Sequence, residues 1–166
     1  MSLRRSKLAH QRKCELALVE ACQLGDCIKV RKLLEQGVSA NSVGTFGWTA
    51  LHEAANGGHT AIVCLLRSFD CELDLVGTAG ETALHKCAAN NDVKTMDVLL
   101  SAGRGVDVRN SGGHSPLHVT AYHNHLEAAR LLLCYNADVL ERDRWNQTPL
   151  HRAAGRRNVC ILERFN

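Results

Sequence analysis

Four histidines, His52, His85, His118 and His151, each close a tetrad and stand 33 residues apart. The tetrads are TALH at Thr49–His52 and Thr82–His85, SPLH at Ser115–His118 and TPLH at Thr148–His151. Imidazole suits two kinds of chemistry, proton transfer near neutral pH and zinc binding. A second group, His114, His118, His123 and His125, falls within twelve residues, but no carboxylate or cysteine stands beside it at ligand spacing. The eight cysteines contain no C-x-x-C pair, so neither a zinc knuckle nor a dithiol redox motif is present. G-x-S-x-G, P-loop, H-E-x-x-H and dinucleotide-binding G-x-G-x-x-G signatures are missing in usable context. What the histidines do depends on the elements that carry them.

Those elements repeat. After each tetrad comes a short helical run ending in Gly or Asn (EAANGGH, KCAANND, VTAYHNH, RAAGRRN), and then a second apolar run such as AIVCLL or EAARLLL. Asp70, Gly103 and Asn136 follow at turns, where they tolerate left-handed backbone. One period earlier, LVEACQLGDCIKVRKLLEQGVSAN fits the same columns without a tetrad, Gly25 matching Gly58 and Val30 matching Val63. The chain therefore divides into a basic leader at residues 1–14, units at 15–43, 44–76, 77–109 and 110–142, and a shortened unit at 143–166.

Thr49, Thr82, Ser115 and Thr148 stand where a hydroxyl caps free backbone N–H groups, and Pro116 and Pro149 follow at the first helical position. Leu51, Leu84, Leu117 and Leu150 are expected in the core. Small residues after them (Ala54/Ala55, Cys87/Ala88, Thr120/Ala121, Ala153/Ala154) let helices approach closely. A single helix pair cannot bury its apolar face; stacked pairs make a continuous core. Lys29 and Lys32 stand in the columns of Ile62 and Leu65, and Arg164 in that of Leu65, Val98 and Leu131, as polar outer faces of capping units require.

This pattern resembles the ankyrin repeat, whose signature is the 33-residue period with T-P-L-H-x-A-A and a later G-H, over about residues 15–166. The resemblance implies an all-α repeat solenoid of about five helix–turn–helix units joined by short β-hairpin loops, with degenerate ends. Asn91, Asn124 and Arg157 depart from the usual Gly, and Asp74, Asp107 and Leu140 from the Asn kept at Asn41. Equivalent residues of stacked units lie about 8–10 Å apart, whereas two ligands of one zinc lie within about 4 Å of each other. The tetrad column cannot share a metal. By resemblance, its histidines bond the hairpins and helix starts of neighbouring units, which makes them structural.

Function is then expected on the concave face. By resemblance that face comprises the hairpin tips and first-helix ends: Thr45, Phe46, Trp48 and Asn56, then Thr78, Glu81, Ala89 and Asn90. It continues with Arg109, Ser111, His114, Tyr122 and His123, and ends with Arg142, Arg144, Trp145, Gln147 and Arg156. Trp, Tyr and Arg are the usual hot-spot types; the lesser alternative is that Trp48 and Trp145 lie against neighbouring hairpins. Charge is partitioned: residues 1–13 hold five bases and no acid, 14–141 nine bases and fifteen acids, and 142–166 six arginines and two acids. The expected function is a non-catalytic protein–protein interaction module, an adaptor or regulatory subunit, binding a peptide or domain with an acidic stretch through an Arg/Trp patch near the last unit. Nucleic-acid association through the basic ends is the second reading, weakened by the acidic middle. Substrate recognition within a ubiquitin ligase or other larger enzyme is the third.

No cofactor, metal, small-molecule substrate or structural disulfide is expected, and a monomer is. The N-terminal residues lack an apolar h-region and no stretch approaches the roughly 20 apolar residues of a membrane span. Reduced thiols and a cytoplasmic or nuclear location follow as expectations.

Overall fold

The computed structural model describes residues 2–103, 105–156 and 158, with side chains from residue 7 onward. Among these residues the chain forms α1 (Ser2–Leu24), α2 (Cys27–Glu35), α3 (Ala50–Asn56), α4 (Thr60–Ser68), α5 (Ala83–Asn90), α6 (Val93–Leu100), α7 (Pro116–His123), α8 (Leu126–Cys134) and α9 (Pro149–Gly155). The odd-numbered helices stack on one another as an inner row, and α2, α4, α6 and α8 as an outer row. Arg157, Cys160, Arg164 and the last apolar run lie outside the described residues.

Each unit reverses direction where the backbone turns left-handed. The column after the inner helix holds Gly25, Gly58, Asn91 and Asn124 (φ 77°, 68°, 56° and 60°), and the one after the outer helix holds Gly37, Asp70, Gly103 and Asn136 (84°, 55°, 76° and 60°). Asn and Asp tolerate this region far better than other side chains with a Cβ. Asn91 and Asn124 thus do the work of the glycine they replace. Asp107 likewise replaces the amide of Asn41. The Asn41 carbonyl oxygen accepts from the Glu72 N–H (2.8 Å), and an Asp107 carboxylate oxygen from the Asp138 N–H (3.1 Å).

Core burial follows the columns. Leu51, Leu84 and Leu117 are buried together with Ala54, Ala55, Cys87, Ala88, Thr120, Ala121 and Ala153. On α4, Ile62 and Leu65 are buried, while Lys29 and Lys32 are exposed on α2, as an end unit needs. Helix α1 runs without a break through residue 15; its side chains from Lys7 to Lys13 are exposed, and burial is complete only at Leu18. The expected β-hairpins carry no strand among the described residues. Their arms are too short for a ladder, leaving one isolated bridge between Val43 and Thr49. Single backbone bonds close the others, from Gly77 to Glu81, Asn110 to His114 and Asp143 to Gln147.

The start of the outer helix exposes one local conflict. His59 and His125 lie within bonding distance of carbonyls of the preceding unit (Gln23, 3.3 Å; Ala88, 2.9 Å), and the Asn158 amide donates to the Ala121 carbonyl (2.6 Å). Asp92 occupies this column but has no N–H to give. One of its oxygens caps the Thr95 N–H at 3.2 Å, while Oδ2 is buried without a partner among the described residues. Asp92→Asn keeps the cap and gains a donor in the column where His59, His125 and Asn158 reach carbonyls of the preceding unit. It is expected to raise stability by about 1 kcal/mol, visible as a higher urea midpoint; an unchanged or lower midpoint would refute this account of the column.

Candidate functional site

The tetrad histidines join the stack. In each tetrad the Thr or Ser N–H donates to the histidine Nδ1 (3.3, 3.2, 3.2 and 3.3 Å from His52 to His151), and the hydroxyl lies 2.7–2.9 Å from the same nitrogen. Nδ1 is therefore the acceptor and Nε2 carries the proton. Nε2–H of His52, His85 and His118 donates to the carbonyls of Glu81 (2.8 Å), His114 (2.9 Å) and Gln147 (3.0 Å), each 29 residues on in the next unit's hairpin. Burial lowers the pKa of all three. His151 keeps the first half of this arrangement but is exposed.

Backbone bonds continue the hairpin tips from unit to unit. Ser111 N–H donates to the Ala79 carbonyl (2.8 Å), and Arg144 N–H to that of Gly112 (3.2 Å). Gly113 sits at this crossing with φ 77°, where a Cβ would stand 2.8 Å from the Arg144 nitrogen. The hairpin tips and the inner helices together form the concave face.

The two tryptophans differ. Trp48 is half-buried: its indole N–H donates to the Thr78 hydroxyl (2.6 Å), and the Lys86 ammonium covers its ring at 4.1 Å. Lys86 is in turn paired with Glu81, so Trp48 and Glu81 belong to the seam between two units. Trp145 is 62% exposed, stacked on His114 (ring centroids 5.6 Å apart, 21° between planes), with the Arg152 guanidinium 5.1 Å away. Phe46 is 80% exposed on the first hairpin, beside a groove lined by Leu16, Ala17 and Thr45.

Around Trp145 the arginines are unequally engaged. Arg109 pairs with Glu141 (3.0 Å), Arg142 donates to the Asn146 carbonyl (3.0 Å), and the Arg156 guanidinium lies 4.1 Å from the Tyr122 ring centroid. Arg144 is exposed. Asp143 is the buried pivot. One carboxylate oxygen accepts the N–H groups of Trp145 (2.8 Å) and Gln147 (3.0 Å), the other Arg152 Nε (2.8 Å) and Nη2 (2.7 Å). Burial alone would raise the Asp143 carboxyl, but the Gln147 N–H, Arg152 and the Trp145 N–H hold it below the usual carboxylate value. His114 is pushed down by burial and by Arg152.

Toward the middle of the face, Glu81, Ala89, Asn110, His114, Tyr122, His123 and Arg152 line a cleft of about 330 Å³. His123 stacks on His125 (5.4 Å between centroids), and the Asn90 amide donates to the Asn56 carbonyl (2.9 Å). Among the described residues no three His, Cys, Asp or Glu side chains converge to hold a metal ion.

The family model described as "Ankyrin repeats (3 copies)" matches residues 18–110, 68–143 and 84–163. The chain belongs to the ankyrin-repeat family. Part of its ankyrin array is 47% identical over 53 residues to a mouse (Mus musculus) 2-5A-dependent ribonuclease, covering 31% of this chain and 7% of the enzyme. Another match is 42% identical over 62 residues to mouse ankyrin repeat domain-containing protein 40, covering 37% of this chain and 17% of that protein. The matched segments span less than a fifth of either relative. A match to 7% of an enzyme transfers no chemistry to this chain. Ankyrin repeats mark a protein–protein interaction module. Among the described residues no helix is long and apolar enough to cross a membrane.

Lys86, Asn110 and Asp143 were missing from the sequence-derived list of ankyrin face residues. Asn110 and Asp143 share a column 33 residues apart, and both accept the N–H groups two and four residues on (Gly112 and His114; Trp145 and Gln147). That column was readable; the ion pair was not. The thiols differ in exposure. Cys64 and Cys134 are exposed, whereas Cys14 and Cys27 are half-buried. Cys22 and Cys87 are buried, and burial pushes the Cys22 thiol up to about 12.

Proposed function

We propose that the chain is an adaptor or regulatory binding module that takes a peptide segment of a partner protein across the last two described units, anchored on Trp145. The observation that carries this reading is the exposure of Trp145 on a rigid hairpin. Its neighbours Asp143 and Gln147 are tied by backbone bonds, and the ring is stacked on His114 rather than inserted into the core. Arg109, Arg142, Arg144, Arg152 and Arg156 stand near it against Glu141 and Asp143, leaving an excess of positive charge. An aromatic anchor inside a cationic rim suits a segment that pairs an apolar residue with acidic ones.

The test uses peptides selected from a displayed random library on the intact chain. The Arg144→Ala/Trp145→Ala double variant is expected to bind them at least about 2 kcal/mol more weakly, roughly 30-fold, the usual loss for a hot spot. Its unfolding free energy should move by only about 0.5 kcal/mol, because both side chains are exposed. Equal binding by wild type and double variant would sink this anchor and direct attention to Phe46 and Trp48.

A further inference from the structure

Arg152 is fixed from behind. Nε and Nη2 donate to the enclosed Asp143 carboxylate, whose side chain is 0% exposed, and Nη2 also meets His114 Nε2 at 2.6 Å. A guanidinium has five N–H donors. The two on Nη1 have no acceptor among the described residues. His114 Nε2 must be unprotonated to accept from a guanidinium, so the neutral imidazole adds no charge. Four residues further along, at the end of α9, Arg156 holds its guanidinium against Tyr122, which lines the same cleft as Arg152. Ala89 and Val119 supply apolar lining, and Glu81, the carboxylate among the lining residues, is already paired with Lys86.

We infer that this cleft seats a single anionic side chain of the bound peptide, its oxyanion held between the guanidinium groups of Arg152 and Arg156. The inference rests on the peptide-binding reading above and names where the acid enters. Arg presents N–H pairs that match carboxylate and phosphoryl oxygens, and a donor held in place by a buried partner loses little freedom on binding. The net charge of the Arg152–Asp143 pair is zero, so Arg156 supplies the positive charge and Arg152 the oriented donors. Charge along the face excludes a continuous polyanion. Further toward the N-terminus the same face carries Glu53 and Glu20, over which a nucleic-acid strand would have to run. One acidic side chain avoids them.

A random dodecapeptide library displayed on phage and panned on the intact chain is the probe. The tightest binder is then synthesised with Glu, phosphoserine or Gln at the enriched acidic position, and affinities are read by fluorescence anisotropy. Wild type should enrich Asp or Glu beside an aromatic or aliphatic residue, and Glu→Gln in the peptide should weaken binding about tenfold or more. Tighter binding of phosphoserine than of Glu would assign the clamp to a phosphorylated partner, and the reverse to an acidic one. Arg156→Gln, at an exposed position, should erase the Glu-over-Gln preference. Arg152→Lys, which keeps a cation beside Asp143, should reduce that preference. A preference that survives both variants, or is lost with Arg142→Ala or Arg144→Ala instead, overturns the inference while leaving the peptide-binding reading intact. A library that enriches nothing overturns both.

Discussion

Leu117→Ala is expected to destabilise the protein by about 2–5 kcal/mol, the range measured when a buried leucine is truncated in a packed core. Leu117 is 0% exposed, in the first turn of α7, and α7 packs against both α5 and α9. The tetrad sequence puts it there. Pro116 starts the helix, Ser115 and His118 fix its entry, and the next residue must then face the neighbouring inner helices. Each unit of a solenoid contributes its own stability plus its interfaces with its neighbours. Truncation at α7 therefore weakens two interfaces at once, and little can move in to fill the space. Leu150, at the equivalent column of α9, is only half-buried, so Leu150→Ala should cost distinctly less. Urea melts of the two variants decide the matter. A Leu117→Ala shift of a few tenths of a kcal/mol, or a larger loss at Leu150, would contradict a continuous core centred on α5 and α7. A fall in the slope of the melt along with the midpoint would show that the stack had come apart into independently melting pieces.

Acid should unfold the protein through its tetrads. His52, His85 and His118 are each 1% exposed, and burial lowers their pKa below the ordinary 6.5. Geometry gives the reason. Nδ1 accepts a backbone N–H, so a proton there would set donor against donor and break the capping box. The sign follows. The unfolded chain takes up protons near 6.5 while the folded one does not, so stability is fully present above 6.5 and is lost as pH falls below it. Each such histidine contributes up to about 1.4 kcal/mol per pH unit, so the three together give up to about 4 kcal/mol per unit. The window from pH 7 to 5.5 stays above the ordinary carboxylate range, so the histidines dominate it. His118→Gln should reduce the pH slope by up to one proton. Urea midpoints that stay flat from pH 7 to 5.5 would rule out the neutral, buried assignment.

The fold was largely legible because a 33-residue period turns one chain into several copies of one local problem. The left-handed columns that follow the inner and outer helices hold only Gly, Asn and Asp among the described residues, as at Gly58, Asn91 and Asn124. Where α3, α5, α7 and α9 start, a hydroxyl and a histidine stand three residues apart. These are constraints within one unit, and residue type reveals them directly. The position of the first unit's core and the polar columns of α2 were readable for the same reason.

Contacts between units obey no such local rule. Trp48 and Trp145 occupy neighbouring places on equivalent hairpins and look alike as letters. The next unit supplies Thr78 and Lys86 to cover the first, while the second stacks on His114 of the preceding unit and keeps 62% of its surface exposed. Arg152 could be counted as one more charge in a basic segment. Its use depends on Asp143 nine residues earlier and His114 38 residues earlier, brought together only when α9 packs on α7. The sequence by itself determined the repeat, its turns and its core columns, because each of these follows from backbone geometry within one period; the structural role of the tetrad histidines came from the resemblance to the ankyrin repeat. The tertiary structure alone decided which exposed-looking side chains are spoken for and which are free to bind, because that depends on the neighbour each column meets across the stack.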